Sequence, residues 1–461
     1  MTETLQLPVL ALKEVLAGLS KVISKRTTLP VLGCVRINRL ATGQLSFEGT
    51  DFDAVAIYTT DATPTDKDLT VIVPLEELAS VVKGCAKSVS IQLIIEKKEA
   101  RLRYPVGGTW LEKPITTFKE DEWPVIPKID GEPVALGPDF RSDFLTALDC
   151  ASNHKPDLTG GWMDVSDPKA HYVVASDGRH MFSANSFKFD LKESVLLPQH
   201  KFLRWSGFHE DGEWSIRVGP RSKEGTAYTQ LQSAYWTFIL KRPDARLPHW
   251  KQVVPNEIKT HVTFNEDAVA FLLDVLPKLP GASQVNAGVT FDLSSMGTTV
   301  VGSEGSHSSR VQVDGVLING NANTFAADRT LIIKALKLGL KNLGVVDGLS
   351  PIVFSDARRK LIIAPLRADP MAKPSAMAPA PVEPSAESTS PEPSTENPQQ
   401  GETVKTTNRL TQATTTNESN GTGETEQQQD KGSALKQAVQ KVDQIKESVK
   451  GGPIVRRAAF E

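Results

Sequence analysis

Asp51 and Asp53 are the first residues whose types and spacing could do chemistry, since paired carboxylates can hold a metal or divide acid and base roles. However, Asp177 and Glu304 stand at the same point of two later polar turns, Ser176-Asp177-Gly178-Arg179 and Ser303-Glu304-Gly305-Ser306. An acid that stabilises a turn therefore explains all of them better. His180, beside Arg179, is of general-base type, but it has no Ser or Cys partner in a recognisable arrangement and reads as surface or pocket lining. Cys34, Cys85 and Cys150 lie far apart, which makes neither a disulfide framework nor a zinc site. They read as small core residues of a protein from the reducing cytoplasm. No phosphate-cradling Gly-rich loop, His-Glu-x-x-His or Gly-x-Ser-x-Gly occurs. Nothing here supports an enzyme, a metal or a cofactor.

The 461 residues carry 52 Lys+Arg and 55 Asp+Glu, a net charge of −3. That excludes a histone-like polycation, so any nucleic-acid role must come from a local basic surface. The first residues lack the basic and apolar regions of a signal peptide, and no run of about 18 apolar residues could span a membrane. Local basic surfaces do occur on predicted helices and their flanks, at Arg26, Lys83, Lys155, Lys201, Arg204, Arg329, Lys334, Lys337 and Lys341. Lys334, Lys337 and Lys341 fall on one face of the last predicted helix. Helices presenting diffuse positive charge suit a phosphate backbone contacted without base readout.

The elements that would position these residues repeat. Helical patterns begin near residues 11, 139 and 266, and the polar turns begin at 50, 176 and 303, a common period of about 127 residues. Predicted helices span 11–24, 139–152 and 266–278, and a second set spans 74–84, 198–206 and 328–343. Short β-branched strands follow at 44–49, 56–60, 88–95, 171–175, 289–293 and 351–354. Runs of strands separated by single helices predict an α+β fold with antiparallel sheets. Three tandem modules result, at 1–129, 130–256 and 257–370. Like modules docked at constant rotation form an arc, and a self-associating arc closes into a ring.

Composition changes after Pro370. Residues 371–461 hold no Trp or Tyr and a single Phe, Phe460, among abundant Pro, Ser, Thr, Gln, Asn and Glu. Residues 371–432 are predicted to be disordered. In 433–461, Leu435, Ala438, Val442, Ile445 and Val449 fall on one face of a short amphipathic helix, ended by Gly451-Gly452-Pro453.

Several stretches resemble the bacterial sliding clamp family, the β subunit of DNA polymerase III. Arg26-Thr-Thr-Leu-Pro30-Val-Leu-Gly and Leu45-Ser-Phe-Glu-Gly-Thr-Asp51 resemble the family's first domain. Val174-Ala-Ser-Asp-Gly178 resembles its second-domain turn, and Leu247-Pro248-His-Trp250-Lys-Gln-Val253-Val-Pro255 its linker into the third. Leu361-Ile-Ile-Ala-Pro365-Leu-Arg367 resembles its terminal strand.

The resemblance implies a head-to-tail homodimeric ring around duplex DNA. Such a ring is a non-catalytic, nucleoid-associated processivity factor that tethers the replicative polymerase. It implies DNA contact at Arg26 and, more loosely, at Lys83 and Lys155. It further implies a pocket for short peptides of the polymerase, the clamp loader and other partners. The matching positions are Leu158, Ser176, Gly178, Arg179, Met181, Pro248, Val253, Leu349, Ile362, Pro365, Leu366 and Arg367.

This chain departs from the family pattern in the order Arg179-His180, in Gln252, in Ala364 and in Ser306-His-Ser-Ser-Arg310. The extension beyond 370 is also foreign to it. Those departures leave an alternative: a divergent clamp-fold paralogue acting as a scaffold or as a competitor for clamp partners.

Overall fold

The computed structural model describes residues 2–367 apart from Lys25, Lys97, Lys98 and Met296. The expectations for 371–432 and 433–461 lie outside the described residues. The fold of the described residues is α+β, with four antiparallel sheets. Alternation explains the strands. In Gly288–Ser294, Val289, Phe291 and Leu293 point inward while the residues between them are half-buried.

At one end a four-stranded sheet runs Thr2–Pro8, Ser90–Glu96, Glu99–Val106, Thr109–Ile115. At the other end a four-stranded sheet runs His307–Val313, Gly297–Glu304, Gly288–Ser294, Asn323–Asp328. Between them lie sheets of eight and nine strands that cross from one repeat to the next. In the first, Ala54–Asp61 pairs with Trp236–Lys241; in the second, His180–Phe187 pairs with Arg359–Ile363.

Among the described residues six α-helices pack on these sheets: α1 Val9–Leu19, α2 Leu75–Gly84, α3 Pro138–Leu148, α4 Ser206–His209, α5 Glu266–Val275 and α6 Arg329–Lys337. α1 buries Val9, Leu12, Val15, Leu16 and Leu19 on one face. Glu76 and Glu77 in the first turn of α2, and Lys83 in its last, match the helix dipole. The Asn265 side chain accepts the Ala268 N–H at 2.8 Å and the Asp328 side chain accepts the Thr330 N–H at 2.8 Å, caps worth about 1 kcal/mol each.

Two predicted helices need correction. The 198–206 stretch forms turns, and helix appears only in the four residues of α4. Pro198 lacks a donor N–H, and Phe202, Leu203 and Phe208 are all drawn into the core. The 328–343 stretch ends as helix at Lys337. Gly339 turns the chain with φ +77°, and Asn342–Val345 is already a strand. Lys341 is therefore not on the helix with Lys334 and Lys337.

The junction of the first and second repeats is aromatic. Phe202 lies 4.5 Å from Phe238 and 5.2 Å from Trp236, ring centre to ring centre. Gly18 of α1 permits this, because a Cβ there would sit 2.4 Å from Trp236. His200 joins the cluster at 5.0 Å from Phe238, its Nδ1 accepting the Phe202 N–H at 3.1 Å. Burial pushes its pKa down from 6.5 to about 4.

The folded ring stays neutral where the unfolded one takes a proton. Stability is thus intact above pH 6.5 and falls as pH drops from 6.5 to about 4, by roughly 2–3 kcal/mol. His200→Asn retains an acceptor for the Phe202 N–H and should flatten urea-measured stability across that window. An unchanged slope would refute the assignment.

Candidate functional site

The nine-stranded sheet brings together Met181 and Ile362, which face each other across the inter-repeat strand pair. With Val174, Trp250 and Val353 they form a buried cluster, flanked by half-buried Tyr172, Leu247, Val254 and Ile258. The linker is pinned there by Trp250, whose Nε1–H donates to Asp164 Oδ2 at 2.8 Å and whose ring meets Tyr172 edge-on at 5.0 Å. Burial works to raise the Asp164 pKa, but the bonds from Ser166 and Trp250 prevail and hold it low. A cavity of about 230 Å³ opens beside the cluster, walled by Val254, Pro255, Ile258 and Val353.

The other expected pocket residues are placed unevenly. Val253 is 50% exposed, and Leu349 is 80% exposed on a turn whose N–H is held by Asp347 Oδ1 at 2.8 Å. Leu158 is half-buried at the end of the short helical turn Pro156–Leu158, and the Pro248 carbonyl accepts the Trp250 N–H at 2.7 Å. Pro365 is half-buried and Arg367 is exposed. Leu366 packs against the last sheet, its N–H donating to the Ala326 carbonyl at 2.7 Å. Ser176 Oγ–H donates to the His180 carbonyl at 2.8 Å and accepts the Gly178 N–H at 3.0 Å.

The turn carrying Gly178 and Arg179 is a polar device. Asp177 Oδ1 accepts the Arg179 N–H at 2.7 Å, the His180 N–H at 2.9 Å and the imidazole Nδ1–H at 3.0 Å. Burial opposes a charged Asp177, yet these three bonds hold its pKa well below the ordinary carboxylate range. Asp51 plays the same part in the first repeat, accepting the Ala54 N–H at 2.8 Å, whereas Glu304 accepts the Gly281 N–H at 3.3 Å.

His180 is buried, not surface or rim. Lys334 of α6 reaches across from the third repeat, 3.1 Å from His180 Nε2 and 2.8 Å from the Asp149 carbonyl. Burial disfavours a charged ring, but Asp177 and the buried Cys150 prevail and raise the His180 pKa from 6.5 to about 9, with the Lys334 ammonium 3.1 Å from Nε2 opposing that charge. With Nδ1 and Nε2 both engaged, His180 is a structural link. Arg179 points to the third repeat as well, with Nη1 3.5 Å from Asn286 Oδ1.

The expected DNA-facing cations divide in two. Arg26, Lys83, Lys155, Lys201 and Lys337 are exposed and have no ion pair among the described residues. Lys334 is taken up by the junction, Arg204 pairs with Asp149, and Lys341 pairs with Glu266. Arg329 is fully buried and contributes nothing to a surface. The only sequence signal for this was its place at the first position of a helix, which does not distinguish a buried arginine from an exposed one.

Residues 9–127 match the family described as DNA polymerase III beta subunit, N-terminal domain. No curated protein matches. Solved structures match over nearly the whole described chain. The beta subunit of Streptococcus pyogenes DNA polymerase is 17% identical, covering 79% of this chain and 100% of that one, with a TM-score of 0.69. The Thermotoga maritima DNA polymerase III beta subunit is 19% identical over 80% and 100%, with a TM-score of 0.66. The Helicobacter pylori beta clamp bound to a DNA ligase peptide is 16% identical over 79% and 100%, also at 0.66. At these identities the likeness is one of fold. None of the helices among the described residues is long and apolar enough to cross a membrane. Residues 9–127 thus match the DNA polymerase III beta subunit N-terminal domain family, and the described chain as a whole has the fold of the beta sliding clamps.

Proposed function

We infer that the chain is a sliding clamp, built of modules 1–129, 130–256 and 257–370, that closes around duplex DNA as a head-to-tail homodimer and tethers the replicative polymerase. The observation that carries this reading is a pair of matching sheet edges. Thr109–Ile115 and His307–Val313 each end a terminal sheet, and both are exposed over their first four residues and buried at the last. An unpaired edge of seven residues is a template for another strand. Joining one copy's first edge to the other's last would satisfy both edges and close a ring.

Arg26, Lys83, Lys155, Lys201 and Lys337 supply the cations for sliding contact with phosphates. The pocket at the second–third junction takes partner peptides, with Val253 and Leu349 as its exposed apolar surface and Met181 and Ile362 as its floor. The peptide bound to the Helicobacter pylori clamp is the kind of ligand expected.

The protein, loaded by its cognate loader, should be retained on circular DNA and lost from the same DNA once linearised. Equal loss from both would end the reading. Arg26→Ala and Lys337→Ala together should reduce the salt slope of DNA binding by about 2, close to 0.9 for each phosphate contact removed.

A second reading is a paralogue that competes for clamp partners. It is favoured by the engagement of Lys334, Arg204 and Lys341 within the fold, which leaves less charge for DNA. A strain that replicates with this gene as its sole clamp would dismiss it.

A further inference from the structure

The hairpins at the two terminal sheets set the direction of every backbone group on their outer strands. Gly107 and Gly108, at φ +56° and +84°, make the two-residue turn between Glu99–Val106 and Thr109–Ile115. Such a turn closes on a hydrogen-bonded pair, here Val106 with Thr109, and bonded pairs then alternate along the ladder. Thr109, Leu111, Lys113 and Ile115 therefore bond to the strand behind them, while Trp110, Glu112 and Pro114 direct their backbone groups out of the sheet. The prolines agree with this. Pro105 faces Trp110 and Pro114 faces Arg101, pairs in which the ladder requires no N–H.

At the other end Gly305, at φ +57°, opens the two-residue turn that closes on Glu304 with His307. The same alternation leaves Ser308, Arg310 and Gln312 with outward N–H and C=O groups. The side-chain faces correspond as well. Leu111 and Lys113 share a face with buried Ile115, and Ser309 and Val311 share one with buried Val313. On the opposite face Glu112 lies 3.6 Å from Arg101 and 3.8 Å from Arg103, and Arg310 lies 3.9 Å from Asp292. Exposed ion pairs of this length contribute little, so neither side chain is committed to its own sheet.

We propose that the edges of two copies join in one antiparallel register, which rests on the head-to-tail ring inferred above: Trp110 opposite Gln312, Glu112 opposite Arg310 and Pro114 opposite Ser308. The first two pairs exchange two backbone hydrogen bonds each. The third makes one, from the Ser308 N–H to the Pro114 carbonyl, because proline has no donor. Sliding by one residue would set outward groups against residues already bonded within their own sheet, and would turn the apolar face around. Sliding by two keeps the alternation but loses at least one bond and takes Glu112 away from Arg310. On the inner face Leu111, 44% exposed, comes opposite Val311, where α5 packs with Phe271 42% exposed.

The charged pair also sets the direction of closure. Two copies joined through like edges would place Glu112 against Glu112, or Arg310 against Arg310, at the two-fold axis. Only first edge to last edge pairs opposite charges, so Glu112 and Arg310 determine which edges meet.

Sedimentation equilibrium of full-length chains tests the register. Glu112→Arg and Arg310→Glu, each alone, set like charges at both junctions and should raise the dimer dissociation constant about a hundredfold, about tenfold per junction. Mixed one to one, the two variants regain opposite charges at both junctions and should dimerise as the unaltered chain does. Both positions are exposed, and matching thermal melts would show that the fold persists. In a Leu111→Cys, Val311→Cys chain, oxidation should link two copies, because opposed residues of a non-bonded pair bring their Cα atoms to about 4.5 Å. Leu111→Cys with Ser309→Cys, two residues out of register, should link poorly. Preferential linking of 111 to 309 in a chain that dimerises, or unaltered dissociation constants for both charge variants, would overturn the register and leave the ring standing. An unaltered chain that is monomeric at every concentration would overturn the ring itself and the register with it.

Discussion

Replacing Arg329 with methionine should destabilise the folded state by about 4 kcal/mol, a loss of the size seen when buried polar networks lose one member. The guanidinium is 1% exposed and faces five backbone carbonyls. Nε–H donates to Ala287 at 2.8 Å, Nη1 donates to Leu276 at 3.0 Å and to Leu279, and Nη2 donates to Pro280 and to Gly288 at 3.1 Å. Those carbonyls belong largely to the turns between α5 and the strand Gly288–Ser294, where no sheet partner serves them. The side chain thus takes the role of a ladder for an irregular segment. Burial lowers the Arg329 pKa, with Asp328 and Glu304 opposing, yet arginine remains charged at any ordinary pH. Lysine has three donors in a different geometry, so Arg329→Lys should recover little. Urea unfolding gives the value directly, and a loss below about 1 kcal/mol would show that water replaces the guanidinium.

Arg358→Ala should cost about 3–5 kcal/mol by leaving a carboxylate buried without its partner. Arg358 projects from the turn before Arg359–Ile363 and meets Asp143 and, at 3.7 Å, Asp139, both on α3 of the second repeat. Asp143 is 2% exposed. Burial raises its pKa, and Arg358 pulls it back only in part. The sign follows from the raised value. Any contribution of Asp143 protonation to stability is full below the unfolded pKa of about 3.9 and disappears as pH rises through the higher folded value. The Arg358→Ala defect should therefore be largest near neutrality and shrink in acid, where Asp143 takes a proton. Asp143→Leu with Arg358→Met should restore most of the loss at pH 7, and additive losses in that double variant would contradict a coupled pair.

What was legible in the sequence was local. Alternation marked Gly288–Ser294, and the acids at 51 and 177 announced turns because their side chains satisfy backbone N–H groups a few residues on. Long-range pairing left no such trace. Nothing within Ala54–Asp61 indicates that its partner is Trp236–Lys241, because pairing depends on the whole sheet closing. Cations were the hardest residues to read. Lys334 and Lys337 differ by three positions on one helix, yet the first holds a junction together and the second faces solvent. A charge pattern alone cannot tell a solvated lysine from one whose ammonium has found a carbonyl. Depth was equally hidden at the pocket: Met181 is 4% exposed and Leu349 80%, although both are apolar residues beside turns. For that reason Val253 and Leu349, rather than Met181, are the positions at which a charge would probe peptide binding without disturbing the core.

The strand pairs that cross between repeats are each five residues long, Trp236–Leu240 against Ala54–Tyr58 and His180–Ala184 against Arg359–Ile363. The linker residues Asn256 and Glu257 lie exposed between them in sequence. A protease that nicks the chain there would cut a covalent link but no part of the shared hydrogen-bonded fabric. The two fragments would separate on a denaturing gel and still elute together as one particle, and co-expressed halves divided at that point should reassemble without being joined.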